Sequence, residues 1–120
     1  MSDVEIDELA ARLDEPGLVL LDVRSPGEFD GTAGAPCDPR QGHVPTARNI
    51  DVLELASATT PEEVRSLVGE QEGAEIVVYC HGGSRSDFAA QILTAAGYVA
   101  RNYRGSWHEW SRRDDLPVEE

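Results

Sequence analysis

The stretch Glu75-Ile76-Val77-Val78-Tyr79-Cys80-His81-Gly82-Gly83-Ser84-Arg85-Ser86 decides how this chain folds. Ile76, Val77 and Val78 form an unbroken apolar run, the pattern of a strand buried on both faces. After the glycine pair comes a helical segment ending at Gly97, in which Phe88, Ile92 and Ala96 recur every four residues. Cys80 therefore stands at the carboxyl end of a buried strand and just ahead of a helix N-terminus. Backbone N–H groups and the positive helix pole converge there and favour the thiolate over the thiol. That is the setting of a nucleophile. The competing reading, an inert core thiol, fits poorly with two glycines and a polar helix start. Gly82 and Gly83 are expected to supply positive φ and to aim successive N–H groups at one centre, an anion nest.

Working outward, residues 3–14 read as a helix with Ile6, Leu9, Ala10 and Leu13 on one face, ended by Pro16-Gly17. Leu18-Val19-Leu20-Leu21 is a second strand-like run, closing on Asp22-Val23-Arg24. Ser25-Pro26-Gly27-Glu28 and Thr60-Pro61-Glu62-Glu63 carry capping-box spacing with proline at the first helical position. Ser106-Trp107-His108-Glu109 is a third such box. Arg48 to Val52 and Tyr98 to Arg101 read as short strands, and residues 30–42 as a loop broken by Gly31, Gly34, Pro36 and Pro39. Strands alternating with helices predict a three-layer α/β/α domain around a mostly parallel sheet of about five strands. One domain over residues 1–120 is expected, its core at about 4–117, with 118–120 a mobile tail.

The composition narrows the function classes. Ten arginines, no lysine and 23 carboxylates give a formal net charge of −13. Such a surface repels phosphate backbones and anionic lipid, which argues against nucleic-acid and membrane partners. No membrane span or signal peptide is legible, so a cytoplasmic location is expected. The two cysteines, Cys37 and Cys80, are poor evidence for a structural disulfide and cannot make a zinc site by themselves.

Ligands of open parallel sheets bind beyond the carboxyl ends of the strands. Asp22, Arg24 and Cys80 all fall there and could share one rim. Two readings of Arg85 stand: it holds an anionic substrate group, or it pins the loop by pairing with Asp22 or Glu28. Ser86 reads as a helix cap that could also donate to the thiolate. His81, next to Cys80, reads as a solvent-facing or substrate-rim histidine rather than a base. Cys37 and Arg40 lie in the long loop, where function often concentrates. Cys37 is a bystander thiol or a resolving partner for Cys80.

At this point the residues resemble the single-domain rhodaneses, the thiosulfate sulfurtransferase family. The resemblance rests on four ordered motifs: Leu20-Leu21-Asp22-Val23-Arg24 with Glu28-Phe29; Gly42-His43-Val44-Pro45-Thr46-Ala47-Arg48-Asn49-Ile50; Tyr79 to Ser86; and Gly105-Ser106-Trp107 with Trp110. It implies that Cys80 accepts sulfur, taking it from thiosulfate as a persulfide and passing it to cyanide or a thiol. The loop residues His81, Gly82, Gly83, Ser84, Arg85 and Ser86 would surround the substrate, with Arg40 a helper and Asp22 and Arg24 in support. No metal or organic cofactor is implied. Loop cations are fewer here than in the long enzymes of the family, and residues 30–41 are longer than the single-domain pattern. Mercaptopyruvate or a protein persulfide is therefore kept as a second donor. A non-enzymatic persulfide carrier serving a protein sulfur acceptor is the alternative from another class. Phosphatases and arsenate reductases of the related fold space their cysteine and arginine one residue further apart. Only four residues separate Cys80 from Arg85, a loop too small for phosphate but able to hold a sulfur atom.

Overall fold

A computed structural model describes residues 3–120. The apolar run at the centre of the sequence becomes β3 (Glu75–Tyr79), which pairs in parallel with β1 (Leu20–Asp22) on one side and β4 (Val99–Asn102) on the other. The short β2 (Arg48–Asn49) extends the sheet beyond β1, giving the order β2-β1-β3-β4. The connections hold α1 (Ile6–Arg12), α2 (Pro26–Asp30), α3 (Val52–Ser57), α4 (Pro61–Val68), α5 (Ser84–Ala95) and α6 (Ser106–Trp110).

Alternation along β3 sorts the core into two layers. Ile76, Val78 and Cys80 face a cluster with Leu21, Val23, Leu55, Val64 and Leu93, which α3, α4 and α5 cover. Val77 and Tyr79 face the opposite cluster, with Leu9, Tyr103, Trp107 and Trp110, which α1 and α6 cover. Cys80 thus belongs to the α5 side of the sheet. Its neighbours His81 and Gly82 begin the return toward that helix.

The expected layers are present, with four strands rather than about five. The chain at Val4 makes one parallel bridge to Tyr103 beside β4, its N–H 2.9 Å from Asn102 O. α1 begins at Ile6, so too little extended chain remains there to build a fifth strand. The end of the chain also differs from the mobile tail expected at 118–120. His43 and Glu119 exchange backbone hydrogen bonds of 2.7 and 2.9 Å, and Val118 packs on the α1–α6 cluster. Of the expected Phe88-Ile92-Ala96 stripe of α5, Ala96 is buried and Ile92 packs against the core, while Phe88 departs from it. Ala89, Ala90 and Leu93 are buried and Phe88 is 50% exposed, because small alanines let the helix lie close on the sheet. Among the described residues, no helix is long and apolar enough to cross a membrane.

Candidate active site

β3 delivers Cys80, and the loop then turns tightly into α5. Gly83 caps that helix with φ +100°, and a Cβ there would lie 2.6 Å from the backbone oxygen of Arg104. Only glycine fits this turn. Gly82 is different: it is exposed, open space surrounds it, and it does not use positive φ. The expectation that both glycines are conformationally required holds for Gly83 alone.

The turn points donors at the sulfur. Gly83 N lies 3.1 Å and Ser86 N 3.3 Å from Cys80 Sγ, and Ser86 Oγ lies 3.4 Å away. Cys80 and Ser86 are both fully buried. Burial alone pushes the thiol up. Hydrogen bonding from the Ser86 side chain, the Ser86 N–H and the Gly83 and Gly82 N–H groups outweighs it, so the thiol titrates below its ordinary range. The predicted nest is therefore built from main chain plus one hydroxyl. Ser86 does not cap α5 with its side chain, since Gly83 holds that position. While the thiol is protonated, Cys80 Sγ donates to the Ser86 hydroxyl and the hydroxyl donates to Gly83 O at 3.1 Å; its hydrogen turns to the sulfur in the thiolate.

The opposite side of the loop is held by α6. Ser106 Oγ accepts the Cys80 N–H at 3.1 Å and donates to Tyr103 O at 2.9 Å. Trp107 N–H donates to Cys80 O and His108 N–H to His81 O, both at 2.9 Å. To do this Ser106 adopts φ +55°, so the third predicted capping box is not formed. Glu109 instead accepts the Tyr103 hydroxyl at 2.9 Å. Asn102, at the end of β4, donates to Gly83 O at 3.3 Å. Neither Ser106 nor Asn102 stood out in the sequence as a partner of the loop. Ser106 comes into contact across 26 residues, and only its place beside the Gly105-Ser106-Trp107 motif hinted at it.

Arg85 makes the pairing with Glu28 that the loop-pinning reading expects. Its guanidinium grips Glu28 with two hydrogen bonds, of 2.8 and 3.1 Å. Burial raises the Glu28 carboxyl, but Arg85 and the Ser25 N–H outweigh it and bring it down to about 2. The capping box predicted at Ser25 is present and holds Glu28 from below. The Glu28 hydrogen bonds, with a smaller contribution from the Cys80 charge, push the Arg85 guanidinium above its ordinary range, and the pair ties the loop to α2. Ser84 opens α5 with an exposed side chain.

Three predicted site residues lie elsewhere than on an open rim. Asp22 and Arg24 are sealed in the core and bind each other, with the Arg24 guanidinium also donating to Gly42 O at 2.6 Å. Arg24 lies between the rings of Tyr79 and Trp107. This pair braces the chain behind β3. Arg40 does not reach the loop. It donates to Ser111 O, Leu116 O, Trp110 O and Arg113 O. Those carbonyls line the end of α6 and the turn after it; Trp110 O and Arg113 O also accept backbone N–H groups, and the guanidinium gathers all four. His81 sits at the loop edge, its Nε2 2.9 Å from Asp38 Oδ2 and its ring edge-on to His108. Cys37 and Cys80 are both free thiols. A cleft of about 540 Å³ opens beside Gly82, lined by Arg104, Gly105, His108, Glu109, Arg112 and Arg113. It gathers three of the ten arginines of an otherwise acidic protein.

Residues 5–113 match the rhodanese-like domain family. The chain belongs to that family. A thiosulfate sulfurtransferase of Corynebacterium glutamicum is 37% identical over 86% of this chain and 38% of its own length. The sulfur carrier protein TtuD of Thermus thermophilus is 37% identical over 82% of this chain and 40% of its own. The chain thus spans about two-fifths of each of these curated relatives. The human single-domain sulfurtransferase TSTD1 superposes with a TM-score of 0.71 and 32% identity, covering 94% of this chain and 97% of its own.

Proposed function

We propose that this domain is a thiosulfate sulfurtransferase that works through a persulfide on Cys80. The observation that carries the reading is the sulfur-sized nest: N–H groups of Gly82, Gly83 and Ser86 around one buried thiol, with Arg85 turned away to Glu28. A phosphate would need the arginine to face inward and a wider loop. In the first half-reaction the Cys80 thiolate attacks the outer sulfur of thiosulfate. The S–S bond of thiosulfate breaks, sulfite leaves with its electron pair, and Cys80 carries a persulfide anion. In the second, cyanide or a thiolate attacks the terminal sulfur and the Cys80 thiolate is released. This is covalent catalysis with ping-pong kinetics. Main-chain donors stabilise the charge on whichever sulfur occupies the nest without having to reorganise.

The closed loop leaves Cys80 with no exposure, so donor entry requires the loop to part, and Gly82 has the room to move. The arginine-lined cleft beside Gly82 supports binding of the sulfonate end of thiosulfate there, against the repulsion of the −13 surface. Intact-mass measurement after thiosulfate treatment tests the reading. One added sulfur atom is expected in the parent protein and none in Cys80→Ser. No gain in the parent, or an equal gain in Cys80→Ser, would overturn it. Relationship to TtuD favours a second reading, in which the same persulfide passes to a partner protein. A loaded Cys80 that resists cyanide and small thiols but transfers to a protein thiol would select that alternative.

A further inference from the structure

The loop of residues 30–42 and the active-site loop meet beside the arginine-bearing cleft, where Arg112 bonds Asp38. There Cys37 Sγ, a carboxylate oxygen of Asp38 and His81 Nε2 all lie within 4.8 Å of one another. Two features separate this cluster from a chance gathering. Asp38 is buried at 6% exposure, and its two oxygens are treated differently. Oδ1 accepts from Arg112 at 2.9 Å and faces the Cys37 thiol at 3.9 Å. Oδ2 is sealed from solvent and has no aligned hydrogen-bond partner, although His81 Nε2 is 2.9 Å away. His81 Nε2 is equally sealed and equally without an aligned partner. The two atoms face each other at ion-pair distance. With the imidazole neutral and its hydrogen on Nδ1, two lone pairs meet there out of reach of solvent and call for a cation between them, since buried polar atoms without partners are rare in folded proteins.

We infer that Cys37, Asp38 and His81 form a binding site for a borderline-soft divalent ion of the Zn²⁺ class. Sulfur, imidazole nitrogen and carboxylate oxygen are the donors such ions select, whereas Mg²⁺ and Ca²⁺ prefer oxygen alone. Tetrahedral zinc places its donor atoms roughly 3–4 Å apart, from metal–ligand lengths of about 2.0–2.3 Å. The present spacing reaches that with a side-chain adjustment. The chemistry also suits access: Cys37 is exposed and His81 partly so, leaving the fourth position open to water. Two cysteines without help cannot hold zinc, but the fold replaces the missing ligands with Asp38 and His81, one beside each cysteine. A bound ion would tie the 30–42 loop to the residue that follows the nucleophile.

The competing explanation is a proton: His81 charged and paired with Asp38, needing no metal. Cobalt distinguishes the two, because thiolate-to-Co²⁺ charge transfer absorbs in the near ultraviolet while a His–Asp pair gives no such band. The measurement is made on Cys80→Ser, where Cys37 is the sole thiol, so the result does not depend on the sulfurtransferase reading. Saturation at one equivalent of Co²⁺ is expected, with displacement by Zn²⁺. The band should vanish when Cys37→Ser is added, and affinity should fall by at least about tenfold in His81→Gln and in Asp38→Asn. His81→Gln alters a partly exposed side chain, so it reports even where the buried Asp38 change loosens the fold, which circular dichroism checks. No saturable band in Cys80→Ser, or unchanged affinity in folded His81→Gln, would overturn the site.

Discussion

Replacing Ser86 by alanine tests the chemistry of the nest with the smallest possible change. The hydroxyl stands 3.4 Å from Cys80 Sγ in a site without solvent, and removing it leaves the Ser86 and Gly83 N–H groups in place. A hydrogen bond to a charged group is worth about 1.5–3 kcal/mol. Each ~1.4 kcal/mol corresponds to about a tenfold change in the thiol–thiolate equilibrium. The side chain of Ser86 is the foremost of the interactions that hold the Cys80 thiol below its ordinary range. Its loss should move the titration upward and cut the reactive fraction at neutral pH by on the order of tenfold. The assay is the rate of iodoacetamide alkylation of Cys80 from pH 5 to 10, in a Cys37→Ser background so that one thiol is followed. The parent should reach its plateau at lower pH than Ser86→Ala, and the two curves should converge at high pH. An unchanged pH profile, or an equal loss of rate at every pH, would refute electrostatic tuning of the nucleophile by Ser86.

The remaining predictions concern what holds the loop. Gly83→Ala must abandon φ +100° and avoid the Arg104 oxygen 2.6 Å from its Cβ; it should cost about 1–3 kcal/mol in thermal unfolding and lower sulfur loading. A variant with parental stability and loading would show that the turn tolerates a side chain. Arg40→Ala removes a guanidinium that gathers four carbonyls of the α6 end and the turn after it, two of which keep a backbone donor, and should destabilise the fold by about 1–3 kcal/mol. The thiosulfate KM of its folded fraction should stay parental; a large rise in KM would return Arg40 to the substrate. Glu28 has its carboxyl brought down to about 2 from an ordinary 4.5, so the Arg85 pair contributes stability that is complete above about pH 4.5. That contribution fades as pH falls toward 2. Melting temperatures measured from pH 6 to 2.5 should therefore drop less steeply in Glu28→Gln than in the parent, and parallel curves would contradict the assignment.

Local pattern carried much of this protein. The run Ile76-Val77-Val78, the glycine pair and the helix after them specify a buried strand, a tight turn and a helix whatever surrounds them. Ser25 and Glu28 interact across one helical turn, so their capping box was readable from spacing and appears as expected. The box at Thr60 is half formed: Thr60 Oγ1 accepts Glu63 N–H, while the Glu63 carboxylate reaches back to Thr59. At Ser106 the same spacing misled. Tertiary demand from the Cys80 N–H drew the hydroxyl away from its own helix.

The place of the proposed nucleophile was legible in the sequence alone. A cysteine between a buried strand and a helix N-terminus meets convergent main-chain donors, and those donors follow from local backbone geometry. The duties of the arginines were decided only by the tertiary structure. Arg24, Arg40 and Arg85 have the same side chain, and each could in principle have met an anion. In the folded chain Arg24 is paired with Asp22 in the core, Arg40 satisfies the end of α6, and Arg85 locks onto Glu28, 57 residues away. A long charged side chain takes the acceptors that packing brings within its reach, and sequence spacing does not encode those encounters. The meeting of Cys37 and Asp38 with His81 has the same origin: two loops far apart in the chain, brought together by the turn that positions Cys80.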